Sequence, residues 1–334
     1  MAGYARRMHD AHDANKAPPA SPAAVDLVLL VAARDEAASL PLLHPRLLAV
    51  AEGLGPGVRL LYVDDGSRDA TWDLLQGFVA GAPDRVGALR LSRNFGKELA
   101  LTAGLDHVPE GAAVVVLDAD GQDPPELVPA LVARWRAGAE VVYGRRTRRE
   151  GEPWLKRATA AAFYRVINAL SDTPIPRDTG DFRLLGPRAV AALRGLRERQ
   201  RFMKGLFAWV GFRAEAFDYE RAPRLAGTSK FNYWRLWNLA LEGITGFSTV
   251  PLRVATYVGL VSAAGAFVYG LWIILKTLLW GDPVAGWPSL MVAVAFLGGL
   301  QLMALGIIGE YLGRLYLEAK QRPLYLVDEA RLPP

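Results

Sequence analysis

Cysteine is absent from the 334 residues, and this absence narrows the chemistry that the chain can perform. Disulfides, thiolate zinc sites, iron–sulfur clusters and cysteine nucleophiles are all excluded. The first predicted strand is not followed by the Gly-rich fingerprint of NAD-binding enzymes. No recognised nucleic-acid-binding motif is present either, and the cations cluster beside apolar segments, so no nucleic-acid partner is expected.

The N-terminal residues 1–24 lack the continuous apolar run that a secretory signal places after its basic residues. They are rich in Ala, Pro, Asp and His and show no apolar periodicity, which is typical of a disordered tail. The catalytic part is therefore expected to remain in the cytoplasm.

Overall composition indicates a protein that is part soluble and part membrane-bound. The hydrophobic share is 51%, the mean hydropathy is +0.14 and the formal charge is +5. A basic balance suits nucleic acid, anionic lipid headgroups or phosphate-bearing substrates, and composition alone leaves these three open.

Apolar runs alternate with helical stretches from residue 25 onward, which predicts a mostly parallel sheet with helices on both faces. Ligands collect at the carboxyl ends of the strands in such sheets. Here those ends are acidic. Runs at Val25–Ala32, Arg59–Val63, Ala112–Leu117 and Val141–Tyr143 predict strands, and Leu40–Glu52, Ala70–Val79, Lys97–Leu105 and Glu126–Ala137 predict helices.

Two long charge-free runs near the C-terminus, Val254–Leu275 and Val284–Gly309, predict a hairpin of membrane-spanning helices. Cations flank the pair outside its short link, which places both termini in the cytoplasm by the positive-inside rule. Phe231–Phe247 has the aromatic and cationic pattern of an interfacial helix. For Trp154–Leu170, a place at the membrane and packing on the sheet remain open.

The predicted organisation is a tail (1–24), a catalytic domain (25–230), an interfacial helix (231–250), a transmembrane hairpin (251–311, with spans near 254–275 and 287–309) and a C-terminal tail (312–334). The hairpin would make the protein multi-pass in the cytoplasmic membrane.

The sharpest chemical signal is the acidic strand end at Asp118 and Asp120. Two carboxylates one residue apart can reach one hard cation where the backbone turns sharply after a strand. Mg²⁺ or Mn²⁺ would then offset charge on a departing diphosphate. Asp64 and Asp65 end a second strand and are expected to accept hydrogen bonds from a base or ribose, with Glu36 joining them.

Basic segments accompany these acids. The junction at Leu91–Glu98, which contains Lys97, has the features of a phosphate site at a helix start. The arginine run at Tyr143–Arg149 suits either a solvated face or a lipid phosphate. Arg221–Lys230 has the composition of a mobile loop that closes over a diphosphate.

These segments together resemble glycosyltransferase family 2, with its GT-A fold, and most closely its polyprenyl-phosphate branch. The segments that carry the resemblance are Asp64–Thr71, Leu91–Glu98, Asp118–Glu126, Tyr143–Arg146, Asp178–Arg183 and Arg224–Lys230. The resemblance spans about Val25 to Arg322 and implies a metal-dependent, inverting sugar transfer from a nucleotide-sugar to a polyprenyl phosphate.

Residue roles follow from the motif positions. The resemblance implies that Asp118 and Asp120 hold Mg²⁺ or Mn²⁺, with Gln122 as a further candidate ligand. It assigns the nucleotide-sugar pocket to Ala33, Glu36, Asp64, Asp65, Lys97, Asp118 and Ala119. It assigns the acceptor phosphate to Arg146, Arg149 and Lys156, and the closing loop to Arg224, Ser229 and Lys230. Asp181 and Asp120 would be catalytic, Asp181 by positioning, because an ionised acceptor phosphate needs no strong base.

Two departures from the family pattern stand out. The first strand ends in Arg34–Asp35–Glu36 where Asn-Glu is usual, which puts the nucleotide contacts there in doubt. Gly121 replaces a usual apolar residue and is expected to loosen the turn after Asp120.

Several alternatives stay open. UDP-glucose is the favoured donor, with GDP-mannose and UDP-pentoses as alternatives, and a homotetramer is expected by resemblance alone. A processive polysaccharide synthase is disfavoured because its Gln-x-x-Arg-Trp segment is missing. A non-catalytic membrane scaffold is disfavoured because the acidic strand ends are intact.

Overall fold

The computed structural model describes residues 27–147, 179–199, 201–223, 225, 250–280 and 286–333. Its single sheet has the strand order β7-β5-β6-β4-β1-β2-β3-β8. The strands are β1 (Leu27–Ala33), β2 (Val58–Asp64), β3 (Val86–Leu91), β4 (Ala113–Asp118), β5 (Val141–Arg146), β6 (Thr179–Leu185), β7 (Ala214–Tyr219) and β8 (Val327–Arg331).

The first four strands are mutually parallel around β1, and β5 pairs in parallel with β7. Strands β6 and β8 are antiparallel to their neighbours. This topology confirms the predicted mostly parallel α/β sheet.

Helices cover both faces of the sheet in the catalytic region. They are α1 (Leu40–Leu54), α2 (Thr71–Gly81), α3 (Lys97–His107), α4 (Val128–Arg136), α5 (Pro187–Gly195) and α6 (Met203–Trp209). A short 3₁₀ turn, Pro125–Leu127, precedes α4. The predicted helix that began at Glu126 therefore starts as this turn, and the α-helix proper starts at Val128.

The buried side chains form two clusters, one on each face of the sheet. Alternation along β1 explains the division: Leu29 and Val31 pack on one face, whereas Val28 and Leu30 pack on the other. Burying one such side chain contributes about 1.5–3 kcal/mol, so the long apolar strands fix the sheet and hence the positions of their ends.

The strand register brings the acidic ends to one edge. Ala32 lies beside Asp118 of β4, and Ala33 lies beside Asp64 of β2. Because β6 runs antiparallel to β4, with Val116 beside Arg183, its beginning reaches the same edge and places Asp181 there. Four strands thus deliver functional side chains to one place.

Two apolar helices follow, α7 (Val250–Trp280) and α8 (Trp287–Ala319), and they pack against each other. Their segments Leu252–Trp272 and Val292–Ala319 are long and apolar enough to cross a membrane. Neither segment is buried within the protein.

The stretch after α8 returns to the sheet instead of ending as a tail. Strand β8 pairs with β3, and Ser92 N donates to Leu326 O at 2.9 Å. At the end of α8, Arg199 N donates to the Glu318 carboxylate at 2.7 Å, and the Arg199 guanidinium donates to Arg322 O at 2.9 Å. The end of α8 is therefore fixed to the loop between α5 and α6.

Candidate active site

A cleft of about 310 Å³ opens at the edge where β1, β2 and β4 end. Seven of the predicted site residues line it: Ala33, Glu36, Asp65, Lys97, Asp118, Ala119 and Asp120. Its lining also includes Ala32, Arg34, Asn94, Gly96 and Ala100, which had no assigned role. The cleft combines carboxylates, cationic side chains and small residues such as Gly96, a combination that suits a polar, phosphate-bearing ligand.

Asp65 organises one wall of the cleft. Its carboxylate accepts hydrogen bonds from Phe95 N at 2.7 Å and Gly96 N at 2.9 Å, just before α3 begins. Burial raises the pKa of Asp65, although these two backbone donors oppose the effect. Asp65 therefore fixes the β3–α3 junction in place. Its carboxylate retains less hydrogen-bonding capacity for a ligand.

Asp64 lies behind the cleft rather than in it. Its side chain is fully buried and accepts hydrogen bonds from Ser67 N, at 3.0 Å, and from the Ser67 hydroxyl. Burial raises the pKa of Asp64. Ser67 also accepts from Asp35 N at 2.9 Å, so Asp64 braces the loop that carries Arg34 and Glu36 into the cleft.

The segment Arg34–Asp35–Glu36, which departs from the family pattern, also has an unusual backbone conformation. Asp35 has a left-handed backbone, with φ of 53°, and its carboxylate accepts from Arg68 N at 2.9 Å. Asp69 accepts from Ala37 N at 3.1 Å and from Thr71 N at 3.0 Å. The loops after β1 and β2 are thereby joined, and Glu36 still faces the cleft.

Lys97 links the carboxylate of Asp118 at the end of β4 to that of Asp181 on β6. Its ammonium lies 2.5 Å from an Asp118 oxygen and also donates to Asp181. Burial lowers the pKa of Lys97, but the charges of Asp118 and Asp181 raise it more, so Lys97 stays protonated. Burial likewise raises the pKa of Asp181, but the charges of Lys97, Lys204 and Arg183 and the hydrogen bond from Lys97 together lower it more, so Asp181 stays ionised.

Asp120 and Gln122 contact Arg221 and Ala222, which follow β7. Asp120 accepts from Gln122 N at 3.1 Å, and its second carboxylate oxygen lies 3.8 Å from the Arg221 guanidinium. Gln122 O accepts from Ala222 N at 3.0 Å. Arg221, the first residue of the predicted closing segment Arg221–Lys230, therefore lies beside Asp120.

The structure corrects the expectation that Gly121 loosens the turn. Gly121 has φ of +69°, and a Cβ there would lie 2.2 Å from Leu225 Cδ1. Leu225 N also donates to Asp120 O at 3.2 Å. Glycine allows both the left-handed backbone and the close approach of Leu225, so the turn is tightly packed.

Arg146 lies at the end of β5 and donates a hydrogen bond to Tyr219, whose hydroxyl donates to Asp123 at 2.6 Å. Burial raises the pKa of Asp123. Arg146 is also within electrostatic reach of Asp118. This places the one described member of the predicted acceptor-phosphate group near the cleft.

Two charged residues missed by the sequence interpretation complete the surroundings of Asp181. Burial raises the pKa of Glu98 to about 7, and the charge of Asp181 adds to the rise; its carboxylate accepts from Met203 N at 3.0 Å. Burial lowers the pKa of Lys204, which faces Asp181. The Leu91–Glu98 motif contains Glu98 without assigning it a role, whereas Lys204 lies in no pattern that distinguishes it from ordinary surface charge.

The oxygen groups after β4 fit a hard divalent cation by their chemistry. Asp118 and Asp120 supply carboxylates, and the buried Gln122 Oε1 has no hydrogen-bond partner among the described residues. An amide oxygen of this kind is a suitable ligand for Mg²⁺ or Mn²⁺. Within the described ranges, however, no cluster of three or more His, Asp or Glu side chains is already gathered for a metal.

Several predictions lie outside the described residues: the N-terminal tail, Arg149, Lys156, Arg224, Ser229, Lys230 and both interfacial segments. They remain predictions.

Comparison with known proteins agrees with the sequence resemblance. Residues 29–193 match Glycosyl transferase family 2, and residues 250–315 match the GtrB C-terminal hairpin. The Bactoprenol glucosyl transferase of Shigella phage SfV is 46% identical over 91% of this chain and 98% of its own length. An uncharacterized glycosyltransferase of Synechocystis sp. is 47% identical over 91% of this chain and 95% of its own length.

Among solved structures, glucosyl-3-phosphoglycerate synthase from Mycobacterium tuberculosis covers 66% of this chain and 77% of its own, with 19% identity and a TM-score of 0.44. This TM-score is too low for the comparison to bear on the site.

Proposed function

This chain belongs to glycosyltransferase family 2, and we propose that it transfers one glucosyl residue from UDP-glucose to a polyprenyl phosphate. The expected GT-A type of fold agrees with the mostly parallel sheet. The observation that carries the proposal is the near full-length similarity to bactoprenol glucosyl transferases, in a chain whose acidic strand ends line one cleft.

The cleft suits the nucleotide-sugar. Asp65 and Glu36 lie on the side formed by β1 and β2, where a base and ribose would bind. Asp118 and Asp120 lie on the side formed by β4, where the diphosphate would bind with a divalent cation held by these carboxylates and Gln122. That cation, when bound, would offset the charge that develops on the departing UDP.

Transfer requires one bond to form and one to break. An oxygen of the acceptor phosphate attacks the anomeric carbon, and the bond from that carbon to the UDP oxygen breaks, with inversion. The acceptor is already ionised near neutral pH, so no proton has to be removed from it. Asp181 is held ionised by Lys97 and is a weak base, so its proposed role is to position groups beside the transferred sugar.

The acceptor would approach from the side of Arg146 and Tyr219, with Arg149 and Lys156 as further proposed phosphate ligands. Arg146 is a suitable donor there because a guanidinium forms paired hydrogen bonds with phosphate oxygens. We place Arg224, Ser229 and Lys230 in a loop that closes over the diphosphate.

The two apolar helices would hold the enzyme in the membrane with the catalytic domain on the cytoplasmic side. Arg253 lies at the start of the first span, and Arg314, Lys320 and Arg322 lie at the end of the second or beyond it. The positive-inside rule therefore favours cytoplasmic termini, so the cleft would face the compartment that contains nucleotide-sugars.

The test is transfer by the purified full-length protein in detergent. Undecaprenyl phosphate is incubated with radiolabelled UDP-glucose, GDP-mannose or UDP-pentoses, with Mg²⁺, Mn²⁺ or EDTA. We expect label from UDP-glucose in the lipid fraction, loss of it with EDTA, and a loss of at least about a hundredfold in Asp120→Asn, which is within the range for removing one electrostatic catalytic group.

Asp84→Asn is the matched control, because Asp84 is exposed in the turn before β3. It should transfer as the unchanged protein does. Label from GDP-mannose alone would replace the proposed donor, and no lipid product with any donor from folded protein would refute the transferase proposal.

A further inference from the structure

Lys97 lines the cleft and contacts the carboxylates of Asp118 on β4 and Asp181 on β6. Its ammonium is 2.5 Å from Asp118, and Lys97 is the only ion-pair partner that the described residues give this carboxylate. The same ammonium donates to Asp181 on β6. One cation thus neutralises a proposed metal ligand and the proposed positioning carboxylate together.

A divalent cation on Asp118 and an ammonium in contact with the same carboxylate repel each other strongly at such a distance. Both can remain only if further negative charge enters the cleft or if the ammonium moves. The Lys97 side chain is 41% exposed, lines the cleft and has a flexible four-carbon stem, so it can turn towards a ligand there.

Asp181 keeps other cations within electrostatic reach if Lys97 turns away. These cations are Lys204 of α6 and Arg183, and the charges of both lower the pKa of Asp181. The movement of Lys97 therefore does not leave Asp181 as an isolated buried charge, which would be costly.

We propose that Lys97 acts as a substitute cation at Asp118 in the donor-free enzyme and exchanges this contact for the diphosphate when metal and nucleotide bind together. Lys97 opposes binding of the metal alone and favours binding of the metal with the nucleotide. The metal therefore enters with its donor, which couples site assembly to the arrival of the sugar. This inference rests on the proposed metal-dependent transfer.

The experiment measures Mn²⁺ binding to the full-length protein in detergent by electron paramagnetic resonance, with and without UDP. We expect Lys97→Met to bind Mn²⁺ without UDP about tenfold more tightly than the unchanged protein, which corresponds to about 1.4 kcal/mol. UDP should tighten Mn²⁺ binding in the unchanged protein by a larger factor than in Lys97→Met, because Lys97 opposes the metal only until the diphosphate takes over its contact, and this coupling is lost without the ammonium.

Lys204→Met is the matched control, since it removes a nearby charge of the same sign that does not contact Asp118. It should change Mn²⁺ affinity less than Lys97→Met does. Lys97→Arg keeps the charge and should keep the weak nucleotide-free binding. If Lys97→Met does not fold, judged by its thermal unfolding, Lys97→Gln replaces it.

The outcomes separate the two proposals. Equal nucleotide-free Mn²⁺ affinity in Lys97→Met and Lys204→Met would overturn the exchange while leaving the transferase proposal intact. Absence of Mn²⁺ binding to every protein, even with UDP or UDP-glucose, would overturn the exchange and metal-dependent transfer together.

Discussion

Gly66 gives the most quantitative prediction, because the space for a side chain there is closed by backbone. Its φ is +63°, and a Cβ would lie 2.5 Å from the carbonyl carbon of Arg93 and 2.6 Å from Asn94 N. These atoms belong to the β3–α3 junction, which Asp65 holds through hydrogen bonds to the next two backbone amides. The clash cannot be relieved by turning a side chain.

The expected cost of Gly66→Ala has two parts. A left-handed backbone costs a non-glycine residue about 1–2 kcal/mol. Forcing extra volume into a packed site costs about 1–3 kcal/mol more. The sum is about 2–5 kcal/mol, and at about 2–4 °C per kcal/mol for a domain of this size the melting temperature should fall by about 4–20 °C.

The assay is thermal unfolding followed by tryptophan fluorescence, together with calorimetric titration of UDP. Gly77→Ala is the matched control: it is an exposed position within α2 with no atom within 4 Å of the added carbon. Alanine should stabilise that helix by about 0.5–1 kcal/mol. An unchanged melting temperature in Gly66→Ala would refute the reasoning about the close approach.

Three further predictions follow from other contacts. Gly121→Ala should lower transfer by displacing Leu225, and Leu225→Ala added to it should restore part of the rate; a double variant no better than the single one would count against this packing. Glu98→Gln should flatten the pH dependence of stability. The pKa of Glu98 is about 7 in the folded protein and 4.5 as the ordinary value, so ionising Glu98 is harder when the protein is folded. The free energy of unfolding therefore falls as the pH rises from 4.5 to about 7. Denaturant titrations should show this fall only when Glu98 is present. Arg199→Ala should raise the KM for undecaprenyl phosphate more than the KM for UDP-glucose, because it removes the guanidinium contacts with Glu318 at 3.4 Å and with Arg322 O at 2.9 Å that join the catalytic domain to the end of α8; equal changes in both would argue against that role.

The central part of the site was predictable because it depends on local patterns. The apolar runs that end in Asp64 and Asp118 identify β2 and β4, and parallel strands bring such ends to one edge. The start of α3 at Lys97 follows from the glycine-containing junction before it. Each of these features is determined by residues within a few positions along the sequence.

The remaining features depend on long-range pairing, which no local pattern encodes. Asp181 meets Lys97 because β6 inserts antiparallel beside β4, and β8 returns to β3 after both apolar helices. Lys204 reaches Asp181 through the packing of α6. The tight packing at Gly121 depends on Leu225, which lies far along the chain.

The most direct test of the central claim is to identify both products of one reaction. Purified protein with UDP-glucose and undecaprenyl phosphate should yield, by mass spectrometry, a lipid monophosphate bearing one hexose and an equal amount of UDP. Release of UMP with a lipid diphosphate product would mean that a sugar phosphate is transferred, and UDP with free glucose would mean hydrolysis; either result would contradict the account.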